Sequence, residues 1–247
     1  MALPWRVVWV TGASTGIGAE ICKQLAAEGV EVAASARNAE ALAALGSGIT
    51  PFPLDVTDEK KVAECFAAIE QSLGQIDLVI AGAGTYTPAS AADFRTEMFR
   101  QMYEVNYLGV INMLAATLPV FRARRAGHLS WIASVSGYRG LPKAAAYGPT
   151  KAALINLAES LQPELARDGV NVSVINPGFV RTPMTAVNDF EMPFLMEPAD
   201  AARATIAGLA KGKFEVAYPA PFVAILKIAR LLPYRLFLWV SRRYLVK

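Results

Sequence analysis

The sequence predicts an α/β fold: a doubly wound parallel sheet of about seven strands, helices on both faces, and a helical appendage at the C-terminal end. Two observations carry this expectation. Short apolar runs recur along the 247-residue chain with helical patterns between them, and a glycine-rich turn joins the first run to the first helix. Strands alternating with helices form βαβ units, and right-handed crossovers lay such strands parallel with helices over both faces.

The elements follow in order. Val7–Val10 is an apolar run ending at Thr11-Gly12, the pattern of a fully buried strand. Glu20–Glu28 has Ile21 and Leu25 at helical spacing and stops at Gly29, a suitable C-terminal cap. Val30–Ser35 reads as the second strand and Ala39–Leu45 as a short helix. Further strands are expected over Ile49–Leu54, Leu78–Ala81, His128–Ala133, Val170–Ile175 and Phe214–Tyr218, with helices over Val62–Leu73, Glu97–Arg122, Tyr147–Arg167 and Pro198–Leu209. No linker, repeat or low-complexity tract interrupts the series, so residues 1–218 read as one domain and 219–247 as a tail.

Composition narrows the class. Charged residues make up 18% of the chain against a usual share of roughly 25%, which excludes disorder and coiled coil. Two cysteines, Cys22 and Cys65, make no disulfide framework and point to a reducing, cytoplasmic compartment. The formal net charge of +3 is uneven: Val216–Lys247 holds Lys227, Arg230, Arg235, Arg242, Arg243 and Lys247 with no acidic residue, leaving 18 basic and 21 acidic residues elsewhere. The basic residues follow no nucleic-acid-binding motif, so no nucleic acid is expected. The chain opens without a signal-peptide pattern. The longest uncharged run in the tail, Val216–Leu226, is eleven residues, too short to span a bilayer. No Cys/His cluster suggests a metal, and His128, the single histidine, has no evident partner for hydrolase chemistry and reads as structural.

The turn Thr11-Gly-Ala-Ser-Thr-Gly-Ile-Gly18 sits between a strand and a helix. Gly12, Gly16 and Gly18 let the backbone turn sharply and approach a pyrophosphate at the helix N-terminus, as in Rossmann-type dinucleotide sites. Downstream stand Asp55-Val56, Asn106, Ser134 thirteen residues before Tyr147, Tyr147-x-x-x-Lys151, Pro177-Gly178 and Thr182. With these motifs in this order the chain resembles the short-chain dehydrogenase/reductase family from residue 5 to about 218. The resemblance implies an oxidoreductase that moves a hydride between nicotinamide and a carbonyl or hydroxyl carbon. One motif departs: Ala81-Gly82-Ala83-Gly84 stands where the family carries Asn-Asn-Ala-Gly. Losing both asparagines predicts a looser sheet centre, while Gly82 and Gly84 still let a cofactor pass closely.

The implied cofactor-binding residues are Gly12, Ser14, Gly16, Ile17, Gly18, Arg37, Asp55, Val56, Gly82, Tyr147, Lys151, Pro177, Gly178 and Thr182. Family members using NAD carry an acidic residue at the end of the second strand, where this chain has Ala36 and then Arg37. A guanidinium pairs with a 2′-phosphate that a carboxylate would repel, and Ser14 adds a hydroxyl. NADP is therefore expected over NAD. Asp55 is expected on the adenine and Thr182 at the nicotinamide amide or the diphosphate.

Tyr147 and Lys151 are four apart and share a helix face; Pro149 between them requires the helix to start near Tyr147. A phenol has a pKa of about 10, which a lysine ammonium and an oxidised nicotinamide ring should lower. Tyr147 is then the acid of a reduction or the base of an oxidation. The resemblance places Ser134 on the substrate oxygen, Lys151 also on the nicotinamide ribose, and Asn106 beside a water that relays protons to Lys151. A redox sensor, or a membrane-recruited scaffold without turnover, is the competing class; a sensor would be expected to lose the tyrosine or lysine, and this chain keeps all four positions.

Phe179–Glu197, with Met184, Val187, Phe190, Met192, Phe194, Leu195 and Met196, resembles the family's substrate loop, and its methionines suit an apolar substrate. Tyr138, Leu141 and Tyr86 are expected on the opposite side. In the tail, Pro233 should separate two short helices whose basic residues leave wide apolar surfaces. Such segments lie in a membrane interface, here with Trp239 and Tyr244 near the headgroups; equally, the tail packs on the body or on another subunit and closes the substrate entrance. The resemblance implies a homodimer or homotetramer through the helices of Asn106 and Tyr147.

Overall fold

The computed structural model describes residues 3–245; Lys247, counted above among the cations of the tail, lies outside the described residues. The chain runs β1 (Val7–Thr11), α1 (Gly16–Ala27), β2 (Glu31–Ser35), α2 (Ala39–Ala43), β3 (Ile49–Pro51), α3 (Glu59–Leu73), β4 (Leu78–Ala81), α4 (Thr96–Tyr103), α5 (Gly109–Arg124), β5 (His128–Ile132), α6 (Tyr147–Arg167), β6 (Asn171–Pro177), α7 (Pro198–Ala210), β7 (Glu215–Tyr218), α8 (Ala220–Leu231) and α9 (Tyr234–Val240). The strands form one sheet in the order β3-β2-β1-β4-β5-β6-β7, every pair parallel. The winding reverses between β1 and β4, which opens a crevice at their C-terminal ends.

Both faces of the sheet are buried, so its strands are apolar throughout rather than alternating. Along β1, Val7 and Trp9 enter one core with residues of α3, α5 and α6, while Val8 and Val10 enter the other with residues of α1 and α7. The buried indoles are satisfied: Trp9 donates to Ser35 Oγ at 2.9 Å and Trp131 to the Leu154 carbonyl at 2.9 Å.

Three elements depart from expectation. β3 is three residues rather than six, because Pro51 and Pro53 have no N–H; only Phe52 and Leu54 still donate to β2 and the residue after it, which an edge strand tolerates. The first helix starts at Gly16, directly from the glycine turn, four residues before the apolar pattern becomes visible. The helix expected over Glu97–Arg122 is broken by a π turn at Glu104–Leu108 between α4 and α5. A π turn inserts a residue into the helix and re-aims a side chain; here that side chain is Asn106. The run Thr96–Arg124 is long and apolar enough to cross a membrane by composition, but Val110, Met113, Leu114, Thr117 and Phe121 are buried beneath the sheet, so it is a core helix.

Pro233 separates α8 from α9 as expected. α8 buries Phe222, Val223 and Leu226 in the core shared by α3, α5 and α6. Arg139 clamps the far end of the tail. Its guanidinium carbon stands 4.5 Å from the Tyr234 ring centre and 4.4 Å from that of Phe237, and it donates to the Arg230 and Leu232 carbonyls that close α8.

His128 begins β5, is 4% exposed, and lies away from the crevice. Its Nε2 is 2.8 Å from Ser173 Oγ, whose own proton goes to the Lys213 carbonyl at 2.6 Å, so Nε2–H must be the donor to Ser173. Burial pushes the His128 pKa from 6.5 down to about 4. The unfolded chain therefore takes up a proton from pH 6.5 downward that the folded chain refuses until about pH 4, and stability falls across that window. His128→Gln should flatten this part of the curve of thermal midpoint against pH; an unchanged slope would place the acid sensitivity elsewhere.

Candidate active site

The crevice is shaped by close backbone approach. Gly12 has φ +70, and a Cβ on it would overlap the Gly82 carbonyl at the end of β4; a Cβ on Gly18 would strike the Gly12 carbonyl. Turn, helix start and strand end are thus packed main chain on main chain, leaving a cavity of ≈ 200 Å³ above them. Gly12, Ser14, Gly16, Ile17 and Gly18 line it on one side, Gly82, Ser134, Tyr147 and Lys151 form its floor and inner wall, and Pro177, Gly178 and Thr182 face them. These residue types fit a dinucleotide: glycines where backbone must come close, and the first turn of α1 at the rim.

The segment that lacks the two asparagines is nevertheless anchored. Thr11 Oγ1 accepts from Gly82 N at 3.1 Å and Ala83 N at 3.4 Å. From the π turn, Asn106 Oδ1 accepts from Thr85 N at 2.7 Å, while its amide donates to the Thr85 carbonyl at 2.9 Å and to Thr150 Oγ1 at 3.3 Å. Asn106 is fully buried and does not line the cavity; its amide clamps the chain leaving β4 and ties it to α6.

Arg37, Asp55 and Val56 also stand off the cavity. Val56 is buried against Gly109. Asp55 accepts from the Thr57 backbone N–H at 3.0 Å and the Thr57 hydroxyl at 2.8 Å. These bonds, the backbone one foremost, hold its carboxyl below the usual range against partial burial, with the Arg37 charge assisting. Arg37 is exposed just beyond β2. Ala13 N donates to the Ser35 carbonyl at 3.1 Å, which ties the turn carrying Ser14 to the strand end that carries Arg37.

Tyr147 opens α6 and Lys151 lies one turn on, with Pro149 in the first turn as the sequence requires. Lys151 Nζ donates to the Ile132 carbonyl at 2.8 Å and sits 5.4 Å from the Tyr147 ring centre. In the nucleotide-free chain burial pushes the Tyr147 pKa up, the Ser134 hydroxyl pulls it back in part, and Tyr86 pushes it further up; the lowering expected from the lysine together with an oxidised nicotinamide ring concerns the nucleotide-bound site. Burial drives the Lys151 pKa from 10.5 down to about 7. Ser134 Oγ accepts from Ser136 N at 3.1 Å and Ser136 Oγ at 3.0 Å, and donates across 3.4 Å to the Pro177 carbonyl. Two good bonds to the oxygen and one long bond from the proton leave that proton free to turn to a better acceptor in the cleft.

Ser134 and Tyr147 also line a second cavity of ≈ 130 Å³ whose other walls include Tyr86, Leu141, Phe179, Met184, Phe190 and Phe222. Tyr86 meets the Tyr147 ring edge-on at 5.1 Å. Tyr138 does not line this cavity, contrary to expectation: its hydroxyl donates to Glu215, which Lys227 and Asn176 also hold. Burial pushes the Glu215 carboxyl up, but Lys227, Tyr138 and Asn176 outweigh it and keep the pKa low. In the loop, Met184 and Phe190 face the cavity, while Met196 packs into the core beside α1 and α7 and Val187 is exposed. Lys143 pairs with Asp189 at 2.7 Å and fastens the loop to the opposite wall.

Sequence reasoning missed Ser136, Thr185 and Phe222. A Ser-x-Ser pair at a strand end and Thr182-x-x-Thr185 were visible signals, since Thr185 Oγ1 accepts from Thr182 N at 3.1 Å. Phe222 had none. It belongs to the tail and reaches the cavity only through packing, stacked on Phe179 at 5.4 Å and on Phe194 at 6.0 Å.

Comparison with known proteins places these features. A family model described as short chain dehydrogenase matches residues 6–191. An uncharacterized oxidoreductase of Myxococcus xanthus is 38% identical, covering 98% of each chain. One from Staphylococcus epidermidis is 36% identical over 83% of this chain and 90% of its own. Among solved structures, a short chain dehydrogenase from Burkholderia cenocepacia in complex with NADP is similar over the whole of both chains, with a TM-score of 0.85 and 28% identity. A short-chain dehydrogenase from Streptomyces avermitilis covers 96% of each chain at a TM-score of 0.83 and 26% identity.

The buried lysine sets a test. Below about pH 7 the fold holds Lys151 as a buried ammonium and bears the full penalty; the penalty fades as pH rises toward the unfolded value of 10.5. Lys151→Met in the nucleotide-free protein should raise the thermal midpoint most near pH 7, with the gain shrinking toward pH 10.5. A gain that did not depend on pH would mean the ammonium is solvated.

Proposed function

The chain belongs to the short-chain dehydrogenase family, and from that premise we propose that it is an NADP-dependent reductase of apolar, lipid-like ketones or aldehydes, with Tyr147 as the proton donor. The observation that carries this reading is the shared wall: Ser134 and Tyr147 line both cavities, the glycine-lined one and the apolar one. A carbonyl in the second cavity meets both hydroxyls at the junction.

The glycine turn, Lys151, Thr182 and the Pro177-Gly178 segment would hold the cofactor, which in its reduced form, NADPH, would supply the hydride. The rest is the work of side chains. Ser134 turns its loosely held proton to the carbonyl oxygen and orients it. Tyr147 gives its phenolic proton to the same oxygen; burial keeps that phenol protonated at neutral pH, the form a reduction consumes. Lys151, anchored on the Ile132 carbonyl, holds donors on the cavity side and replenishes the phenol. Asn106 acts at a distance by fixing the chain after β4 to the helix of Tyr147 and Lys151. Met184, Phe190, Phe179 and Phe222 exclude water and favour an apolar body on the substrate.

Preference for NADP rests on Arg37. No acidic residue closes β2; the exposed Arg37 follows it, and the Ala13 bond to the Ser35 carbonyl ties the turn carrying Ser14 to that strand end, which supports reading the guanidinium as the partner of a 2′-phosphate.

Two measurements test the reading. Tyr147→Phe keeps the ring and removes the proton, so turnover of apolar ketones should fall at least ~100-fold while the NADP dissociation constant stays near native. Retained turnover would overturn the assignment, and no turnover by the native protein on a broad ketone panel would favour a sensor. Arg37→Asp should weaken NADP by about 10- to 100-fold, from the loss of a charge-assisted bond, with little change for NAD. An unchanged ratio of the two constants would show that Arg37 does not read the phosphate.

A further inference from the structure

The tail has two faces, and the body covers only one. On α8, Phe222, Val223 and Leu226 point into the core, while Ala224, Ile225, Ile228 and Leu231 turn outward. Ile225 is 52% exposed, Ile228 63% and Leu231 84%. A helix packed on a globular body normally presents charged and polar residues on its outer side; here Ala224, Ile225, Ile228 and Leu231 form an apolar arc, with the exposed Lys227, paired to Glu215, and Arg230 outside it. α9 and the turn after it continue the surface with exposed Leu236, Trp239 and Tyr244 among exposed Arg235, Arg242 and Arg243. No acidic residue follows Glu215.

We propose that this outer face docks on an anionic phospholipid bilayer, which places the apolar substrate cavity beside the membrane. Charge decides between occupants. A two-fold contact between copies sets the same patch against itself, and neither tail carries a carboxylate to pair with the other's Arg235, Arg242 and Arg243. An anionic surface instead attracts each of them, and the apolar arc of α8 with Trp239 and Tyr244 suits the headgroup boundary. Phe222 links this face to the cavity: it lies on the inner side of α8 and forms part of the cavity wall. The thickness of one helix therefore separates the docked face from the apolar cavity. The cavity's role as a substrate site rests on the reductase reading; the docking does not.

The test is flotation of the full-length protein with vesicles of phosphatidylcholine alone or mixed with phosphatidylglycerol. The protein should float with the mixed vesicles, less so as salt is raised, and not with phosphatidylcholine alone. Arg242→Gln with Arg243→Gln should lower the partition coefficient on the order of thirtyfold, from two cations near the surface. Ile228→Glu with Leu231→Glu should abolish flotation while leaving turnover of a small water-soluble ketone unchanged, which shows the fold intact. Absence of flotation with mixed vesicles, or flotation kept by Ile228→Glu with Leu231→Glu, overturns the proposal. So does self-association in sedimentation that the same pair abolishes without any flotation, since the occupant would then be a second copy. Failure of the reductase reading appears separately, as no turnover of any ketone in the absence of vesicles.

Discussion

The contact between the glycine turn and the end of β4 is the constraint on which the molecule is organised. Main chain touches main chain at Gly12 and Gly82, with Gly18 closing over Gly12. Such an approach needs residues without Cβ on both partners, and Thr11 fixes it by accepting from two consecutive N–H groups beyond β4. The crevice where the winding reverses owes its shape to this contact. So does the course of the chain into Thr85, which Asn106 then grips from the π turn. A site built on backbone contacts is stiff, and stiffness is what a hydride donor and acceptor held at fixed separation require.

Around that frame the chain keeps ionisable groups in places where water is scarce. Tyr147 and Lys151 titrate in opposite directions from their usual values for one reason, desolvation of the charged form. Each is thereby poised nearer its neutral state than its neighbour would make it in water. Glu215 shows the opposite solution, a half-buried carboxylate kept charged by three donors from three elements.

The fold was largely legible because its signals are local. Strand and helix alternation, the glycine turn at residues 11–18 and the Tyr147–Lys151 spacing each reside in a few consecutive residues. What was not legible depended on distant packing or on a balance of energies. The π turn at Glu104–Leu108 leaves no mark on the apolar pattern of the helix, and Tyr138 reads as a cavity residue until Glu215 is seen to claim its hydroxyl. The anchoring of the segment after β4 by Thr11 and Asn106 joins residues 71 and 21 positions away from the groups they hold. Burial of the Tyr147 phenol was not legible either, because charge attraction is visible in a sequence and desolvation is not.

Arg139 sits in the wall segment between Ser134 and Tyr147, yet its guanidinium is wedged between two aromatic rings of the tail and bonded to the carbonyls that end α8. Pocket wall and tail are therefore one mechanical part. Exchanging the tail between relatives would reshape the substrate cavity even if no cavity residue were touched, and a change of preferred substrate can arise from substitutions well outside the cavity. The apolar cavity and the outer surface of the tail would then change together during evolution, because one side chain spans both.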